Sequence, residues 1–116
     1  MAHDDAFLEA LTGLEDALDE NIARAREMKR RIAQIRRERA AGGDYREIVS
    51  AEKPPLIVQL VTESSRALDE HGARVRRTEV LALHEEGLTM EQIAAKFGVT
   101  RQRVSGILRE ARSNHR

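Results

Sequence analysis

An uninterrupted amphipathic stretch at the start of the chain most constrains its fold. From about Asp5 to Ala40 there is no proline, and Gly13 is only a weak helix breaker. Apolar residues recur here at alternating intervals of four and three, which is the heptad spacing of a coiled coil. A helix that exposed this stripe would be poorly stable in water, so it must pack against another helix of the same chain or of a partner. The predicted seam consists of Phe7, Leu11, Leu14, Leu18, Asn21, Ala25, Met28, Ile32 and Ile35.

We expect the partner to be a second copy of the chain, and charge suggests a direction. Residues 1–21 carry seven acidic side chains and no basic ones, whereas residues 22–40 carry eight basic and two acidic ones. An antiparallel homodimer puts acid against base, and Asn21 would then meet its copy across a two-fold axis and fix the register. Alternatively, the charges merely complement the helix dipole, or the bases between Arg24 and Arg39 follow a nucleic-acid backbone.

Composition limits the size of the core and the available chemistry. The chain has 116 residues, of which 34% are charged and 3% aromatic, so one modest domain or a small domain plus an elongated helix fits better than a large globule. It has no cysteine, which excludes disulfides and thiolate sites. No apolar run approaches the roughly 20 residues that span a bilayer, and the acidic start lacks a signal pattern. We therefore expect a cytoplasmic protein that does not enter the membrane.

No residue pattern indicates catalysis, a metal site or a cofactor. His3, His71, His84 and His115 are scattered, and the helix of His84 lacks the second histidine of a zinc site. There is no phosphate-binding glycine loop, and paired acids such as Glu85–Glu86 fall at helix ends or on polar faces. The sequence therefore indicates a binding protein rather than an enzyme.

Two breaks divide the middle of the chain. The glycines of Ala41–Asp44 end the first helix, and Asp44 is placed to cap a short helical turn through Val49. Pro54–Pro55 is the second break, and beyond it apolar residues at helical spacing run from Leu56 to Val75. A short strand over residues 56–61 is the alternative, but the pattern continues too far for one. Gly72 either divides this connecting helix from the next helix or only bends it.

Near the end of the chain, the sequence has the start and stop signals of two short helices. Thr89 followed by Gln92 is a capping box, so a helix should begin near Met90. Gly98 should end that helix, because glycine adopts the left-handed conformation of a C-terminal cap without steric cost. Thr100 would then cap a second helix. Two helices separated by so short a turn are typical of a helix-turn-helix unit.

The apolar residues of this region share one interior. Ala94 is small enough for two helices to cross closely, and a preceding helix from about Arg74 to Glu86, stopped by Gly87, would complete a three-helix domain. The predicted interior residues are Ile93, Phe97, Val99, Val104, Ile107 and Leu108.

These elements predict an all-α protein in three segments. Residues 1–41 form a long N-terminal coiled-coil-type helix for dimerisation or partner binding, and residues 42–72 form a loop and a connecting helix. Residues 73–116 form a C-terminal three-helix helix-turn-helix domain.

One short run resembles a known family. Phe97-Gly98-Val99-Thr100-Arg101-Gln102-Arg103-Val104 is similar to the helix-turn-helix of region 4 in bacterial sigma factors. In that family the residues after the threonine enter the major groove at the promoter's upstream element. The resemblance covers about the last third of the chain and departs at Ser105–Gly106, where sigma factors usually carry larger polar side chains. It implies a base-reading role for Arg101, Gln102, Arg103, Ser105 and Gly106.

Nothing upstream resembles the sigma segments that melt DNA and grip the polymerase core, so we do not interpret the chain as a sigma factor. The chemistry of the last segment nevertheless suits DNA, because Arg pairs bidentately with guanine and Gln with adenine, each pair being worth roughly 1–3 kcal/mol of discrimination. The net charge of the chain is zero, but residues 73–116 carry nine basic and five acidic side chains. The candidates for phosphate contact are Thr89, Gln92, Lys96, Thr100, Arg109 and Arg112, with Arg74, Arg76 and Arg77 in the preceding helix.

Two functional classes follow. The leading one is a sequence-specific transcriptional regulator that binds double-stranded DNA as a dimer, with the recognition helix Thr100–Arg112 in the major groove. The second is an interaction protein whose sigma-like unit docks on RNA polymerase or another partner, while the long helix recruits a partner and DNA binding is weak or absent. An ordinary helical hairpin with solvated arginines would require two caps, a turn glycine and a basic face to coincide by chance.

Overall fold

Where its structure is described, the chain consists of helices joined by turns and short loops. The computed structural model describes residues 5–114, which form α1 (Ala6–Ala40), α2 (Tyr45–Ser50), α3 (Ile57–Glu85), α4 (Met90–Phe97) and α5 (Arg101–Asn114). The all-α prediction with a long first helix is therefore confirmed. None of the helices in this part of the chain is both long enough and apolar enough to cross a bilayer. His3 and His115 lie outside the described residues.

The end of α1 and the start of α2 follow their sequence signals. Gly42 has a φ of +98°, and the amide of Gly43 donates to the carbonyl of Glu38 at 3.0 Å, so the last turn of α1 closes on itself. Asp44 Oδ1 accepts a hydrogen bond from the amide of Glu47 at 2.8 Å and caps α2 as predicted.

α3 is one helix of 29 residues that passes through Gly72 without a break. The connecting helix and the first helix of the C-terminal domain, which the sequence left either divided or bent at Gly72, are therefore continuous. A glycine inside a helix costs about 1 kcal/mol relative to alanine, which a helix of this length tolerates. The β-branched residues at 57–61 are helical, and the strand alternative is excluded for them.

By their contacts, the residues group into two units. Among the described residues, one unit combines residues 5–15 with residues 69–114, and the other comprises residues 16–68. Both α1 and α3 therefore contribute to both units. Of the segment boundaries that the sequence suggested, 41–42 falls at the end of α1 and 72–73 falls inside α3.

In the unit of residues 16–68, α1 and α3 run antiparallel. Asn21 Nδ2 donates to the carbonyl of Ser64 at 3.2 Å, and Arg24 Nε donates to Ser64 Oγ at 2.9 Å. Further along α1, Arg31 Nη1 reaches back to the carbonyl of Lys53, just before α3, at 2.9 Å. Small side chains allow the two helices to approach closely. The buried residues of this unit are Ala17, Ile48, Leu60 and Ala67.

In the other unit, the start of α1 also lies against α3. Ala10 is buried, and Glu9 forms a 4.0 Å ion pair with Arg74. A Cβ added to Gly13 would lie 3.3 Å from Nδ1 of His71. Gly13, which the sequence marks as a weak helix breaker, is therefore a point of close approach between two helices.

Only some residues of the predicted seam of α1 pack against α3. The reason is register: α3 meets Ala17 and Arg24, each one residue before a predicted seam position. We expected Asn21 at a two-fold axis, but its side-chain amide donates a hydrogen bond to the carbonyl of Ser64 in its own chain. Leu14, Asn21, Met28 and Ile35 are half-buried, as is Phe7, whereas Leu11, Leu18, Ala25 and Ile32 are exposed.

In the unit of residues 16–68, Arg31 of α1 forms hydrogen bonds within its own helix and with the segment that precedes α3. Its Nε donates to Glu27 at 2.8 Å, and its Nη1 donates to the carbonyls of Lys53 and Pro55. Hydrogen bonds from Arg31 and then from Arg30 hold the pKa of Glu27 below its ordinary value. The Arg31 side chain is 20% exposed, so water competes poorly for these bonds.

Replacement of Arg31 tests this arrangement. Arg31→Met is expected to lower the free energy of unfolding by about 1–2 kcal/mol, because two backbone carbonyls lose a charged donor. Urea denaturation followed by far-UV circular dichroism measures the change. Arg30→Met is the matched control: Arg30 also binds Glu27, but its side chain is 71% exposed, so its loss should stay within about 0.5 kcal/mol. Equal losses in the two variants would contradict the role given to Arg31.

Candidate nucleic-acid interface

The caps of α4 place it as the sequence predicts. Thr89 Oγ1 accepts a hydrogen bond from the amide of Gln92 at 3.1 Å, and Gln92 Oε1 accepts one from the amide of Thr89 at 2.8 Å. This is the complete capping box. Gly98 ends the helix with a φ of +66°, in the left-handed region that favours glycine.

α5 begins directly after the turn. Thr100 Oγ1 accepts a hydrogen bond from the amide of Arg103 at 3.0 Å, which confirms Thr100 as the cap of this helix. The residues that follow Thr100 therefore occupy the first turns of a capped helix, and their side chains have fixed directions.

One apolar core holds α4 and α5 to the end of α3. Ile93 and Val104 are fully buried in it. Phe97 and Val99 were expected in this interior, and that prediction is wrong: each is 39% exposed, because they flank Gly98 where the chain turns from α4 towards α5. The buried core consists of Val80, Ile93, Ala94, Val104, Ile107 and Leu108, with Leu81, Leu83, Leu88 and Met90 packed against it.

α5 directs a polar face away from this core. Its buried side is formed by Val104, Ile107, Leu108 and Ala111. At 3.6 residues per turn, Gln102, Gly106 and Arg109 project from the opposite side, while Arg101 and Arg103 lie on the two flanks. Of the five residues with a predicted base-reading role, Arg101, Gln102 and Arg103 are exposed, and Ser105 and Gly106 are half-buried.

Gly106 leaves an open space in the middle of the outward face. A Cβ at this position would meet no atom within 4 Å. The residue is helical, so no left-handed turn requires glycine either. Neither packing nor backbone conformation within the chain explains a glycine that costs helix stability, and the space it leaves lies outside the chain.

Arg101 has a partner that the sequence reasoning missed. Its Nε lies 2.7 Å from Oε1 of Glu91, in the first turn of α4. Both side chains are more than half exposed, so the pair contributes no more than about 1 kcal/mol. The guanidinium atom in this ion pair is Nε rather than one of the two terminal nitrogens. An acidic residue within a basic domain was the only sequence signal for it.

Exposed cations surround the outward face. Lys96 of α4 and Arg109 and Arg112 of α5 are exposed, and no ion pair among the described residues involves them. The same part of the chain holds no group of three or more His, Asp and Glu residues arranged to bind a metal ion. Thr89, Gln92 and Thr100 are exposed too, although each uses a side-chain oxygen to cap a helix.

Comparison with known families agrees with this geometry. Residues 74–114 match the family model of Sigma-70, region 4. The matched segment covers α3 from Arg74 onward, α4 and α5, which are the helices that share the apolar core. The end of the chain is thus a helix-turn-helix unit that resembles this DNA-binding family. No curated protein and no solved structure is significantly similar to the chain.

Two glycine substitutions should shift stability in opposite directions. Gly98→Ala is expected to lower the free energy of unfolding by about 1–2 kcal/mol, because alanine is strained in the left-handed conformation. Gly106→Ala is expected to raise it by up to about 1 kcal/mol, because this residue is helical and a Cβ meets nothing. Urea denaturation of both variants measures the difference, and shifts of the same sign would contradict the conformations assigned to the two glycines.

Proposed function

We propose that the chain is a sequence-specific transcriptional regulator that binds double-stranded DNA as a dimer and reads it with α5 in the major groove. The observation that carries this proposal is the outward face of α5, where polar and basic side chains stand on a capped helix anchored by a buried core. The match of residues 74–114 to Sigma-70, region 4 supports DNA as the ligand.

The side chains on α5 suit base recognition. The major groove admits an α-helix, and Arg and Gln make bidentate contacts with guanine and adenine there. Arg103 and Gln102 are exposed on the first turn of the helix, where recognition helices contact base edges. The open space at Gly106 lets the backbone of α5 approach the DNA more closely than any other residue type would allow.

The surrounding residues suit phosphate contact. Phosphate contacts set the register of a protein on the duplex, and α4 is the helix that crosses the backbone in this type of unit. Lys96 of α4 and Arg109 and Arg112 of α5 supply charge. The hydroxyl groups of Thr89 and Thr100 supply short-range donors at the starts of the two helices.

Glu91 acts, in this proposal, as a positioning residue for Arg101. The ion pair at Nε restrains the guanidinium, while its terminal nitrogens keep the two parallel donors that a guanine requires. Ordering a side chain before binding reduces the entropy lost on binding. Because the pair is exposed, it is also weak enough to open where a base demands another direction.

The dimer supplies two recognition helices. Two such helices would read half-sites separated by about 34 Å, one turn of DNA, or by a multiple of that distance. The exposed apolar residues of α1, including Leu18 and Ile32, support self-association, since α3 does not cover them.

Removal of the two flanking arginines tests the reading helix. A site is first selected from random duplexes with the wild-type protein, and affinity is then titrated at several salt concentrations. Arg101→Ala combined with Arg103→Ala should weaken binding to the selected site at least about 30-fold, since two bidentate pairs are lost. Arg46→Ala is the control, because Arg46 is 87% exposed on α2, outside the matched segment.

Two outcomes contradict the proposal in different ways. If the double variant binds the selected site with the affinity and salt dependence of the wild type, the assignment of α5 is wrong. If the wild-type protein selects no site and does not saturate any duplex at low salt, DNA is not the ligand. The second class of function, docking on RNA polymerase or another protein, then replaces the first.

Gly106 provides an independent test of close approach. Gly106→Ala should bind the selected site about tenfold more weakly while being more stable than the wild type, since its Cβ separates α5 from the bases. Gly72→Ala is the matched control, because Gly72 is also helical and a Cβ there also meets nothing within 4 Å. Full affinity of the Gly106→Ala protein would show that the space at this position does not serve DNA.

A further inference from the structure

One side of the α1–α3 hairpin in the unit of residues 16–68 is apolar and uncovered. Its large side chains are between 38% and 68% exposed. We call this surface the apolar face; it comprises Leu18, Ile22, Ala25 and Ile32 of α1 and Val58, Val61 and Leu68 of α3.

The members of the apolar face lie on the same side because the two helices are antiparallel. Leu18 follows Ala17, which is buried against α3, and Val61 follows Leu60, which is buried against α1. When two helices are antiparallel, the residue that follows a buried position lies on the same side of the pair in both helices. The offset repeats at heptad spacing, to Ala25 and Ile32 on α1 and to Leu68 on α3. The opposite side carries polar residues, among them Glu20, Glu27, Gln34 and Glu63.

We propose that two copies of the chain pair through this apolar face, with α1 antiparallel to α1 and Ala25 at the two-fold axis, to form a four-helix bundle. The inference rests on the dimer in the proposed function and names its surface. It does not depend on what α5 reads.

Charge complementarity identifies a second copy as the occupant. Antiparallel pairing about Ala25 places Leu18 of one copy against Ile32 of the other. At the edge of the apolar face, it also sets Glu15 of one copy opposite Arg36 of the other, twice by symmetry. Parallel pairing of the same helices would instead put acid beside acid and base beside base, which is unfavourable.

The small residue at the centre of the face supports the same geometry. Ala25 is exposed between Leu18 and Ile32, so two α1 helices can approach closely there and enclose the larger side chains on either side. Helix pairs in four-helix bundles pack in this way, close to antiparallel. The predicted dimer is thus kept, but its axis moves from Asn21, which binds Ser64 of its own chain, to Ala25.

The solution mass of the full chain provides the first test. Sedimentation velocity should give twice the 13.1 kDa of one chain. Leu18→Glu combined with Ile32→Glu should give a monomer, because a bundle would have to bury four unpaired carboxylates. Val49→Glu is the matched control: Val49 is 54% exposed on α2, outside the apolar face, and this variant should remain dimeric. Circular dichroism checks that both variants keep their helices.

Disulfide cross-linking provides the second test. The chain contains no cysteine, so Ala25→Cys introduces a single thiol. Under mild oxidation it should form a covalent dimer rapidly. Ala23→Cys, which is also exposed but turned away from the apolar face, should not form one.

Each contrary result overturns the inference. A monomeric wild-type chain, a Leu18→Glu/Ile32→Glu chain that still dimerises, or equal cross-linking from positions 23 and 25 would each do so. Failure of the DNA proposal is observed separately, because binding of the double-glutamate chain to a duplex with one half-site reports on α5 alone.

Discussion

The apolar stripe of α1 requires a second helix, and the α1–α3 pairing is the constraint on which the rest of the structure depends. A helix of 35 residues with this much charge gains little from its own hydrogen bonds in water and is stabilised by packing. α3 provides that packing through small buried residues such as Ala17 and Ala67, and Arg31 holds the chain segment that leads into α3. The length of α3 follows from the same need, because a short connecting helix could not accompany α1. Its last turns then supply Val80 to the core beneath α4 and α5.

The sequence correctly predicted the helix ends, because these depend on residues that are close to one another in the chain. The ends of α4 and the start of α5 depend on Thr89, Gln92, Gly98 and Thr100, whose effects act over three or four residues. The register of α1 against α3 could not be read in this way. Two adjacent stripes of α1 both follow the heptad, one marked by leucines and one by alanines, and hydrophobicity alone favours the leucines. The structure buries the alanines because α3 presents Ala67 and Ser64 at that level, and such a choice depends on residues about forty positions away.

In the candidate site, too, the sequence predicted the features that depend on neighbouring residues and missed those that depend on contacts between helices. The caps placed Arg101, Gln102 and Arg103 on the first turn of α5, which the sequence anticipated. The ion pair between Arg101 and Glu91 joins two helices across a turn, and no periodicity within one helix reveals it. The exposure of Phe97 could not be read from its spacing either, since the left-handed Gly98 redirects the chain immediately after it. At Gly106 a Cβ would meet no atom within 4 Å, so packing inside the chain does not explain the glycine, and only the structure could show this.

The segregated charge links the proposed dimer to the proposed function. A chain with zero net charge gains nothing from long-range attraction to DNA unless its acidic residues are kept from competing with phosphate for its bases. The seven acids of residues 1–21 would compete in this way if they were left uncompensated. In the proposed dimer, antiparallel pairing of α1 would set the acidic half of one helix beside the basic half of the other, and the two opposite charges would partly offset each other. The excess of bases over acids in residues 73–116 then remains for phosphate. Self-association would therefore strengthen DNA binding in two ways. It would provide two recognition helices, and it would reduce the competition of the N-terminal acidic residues with phosphate.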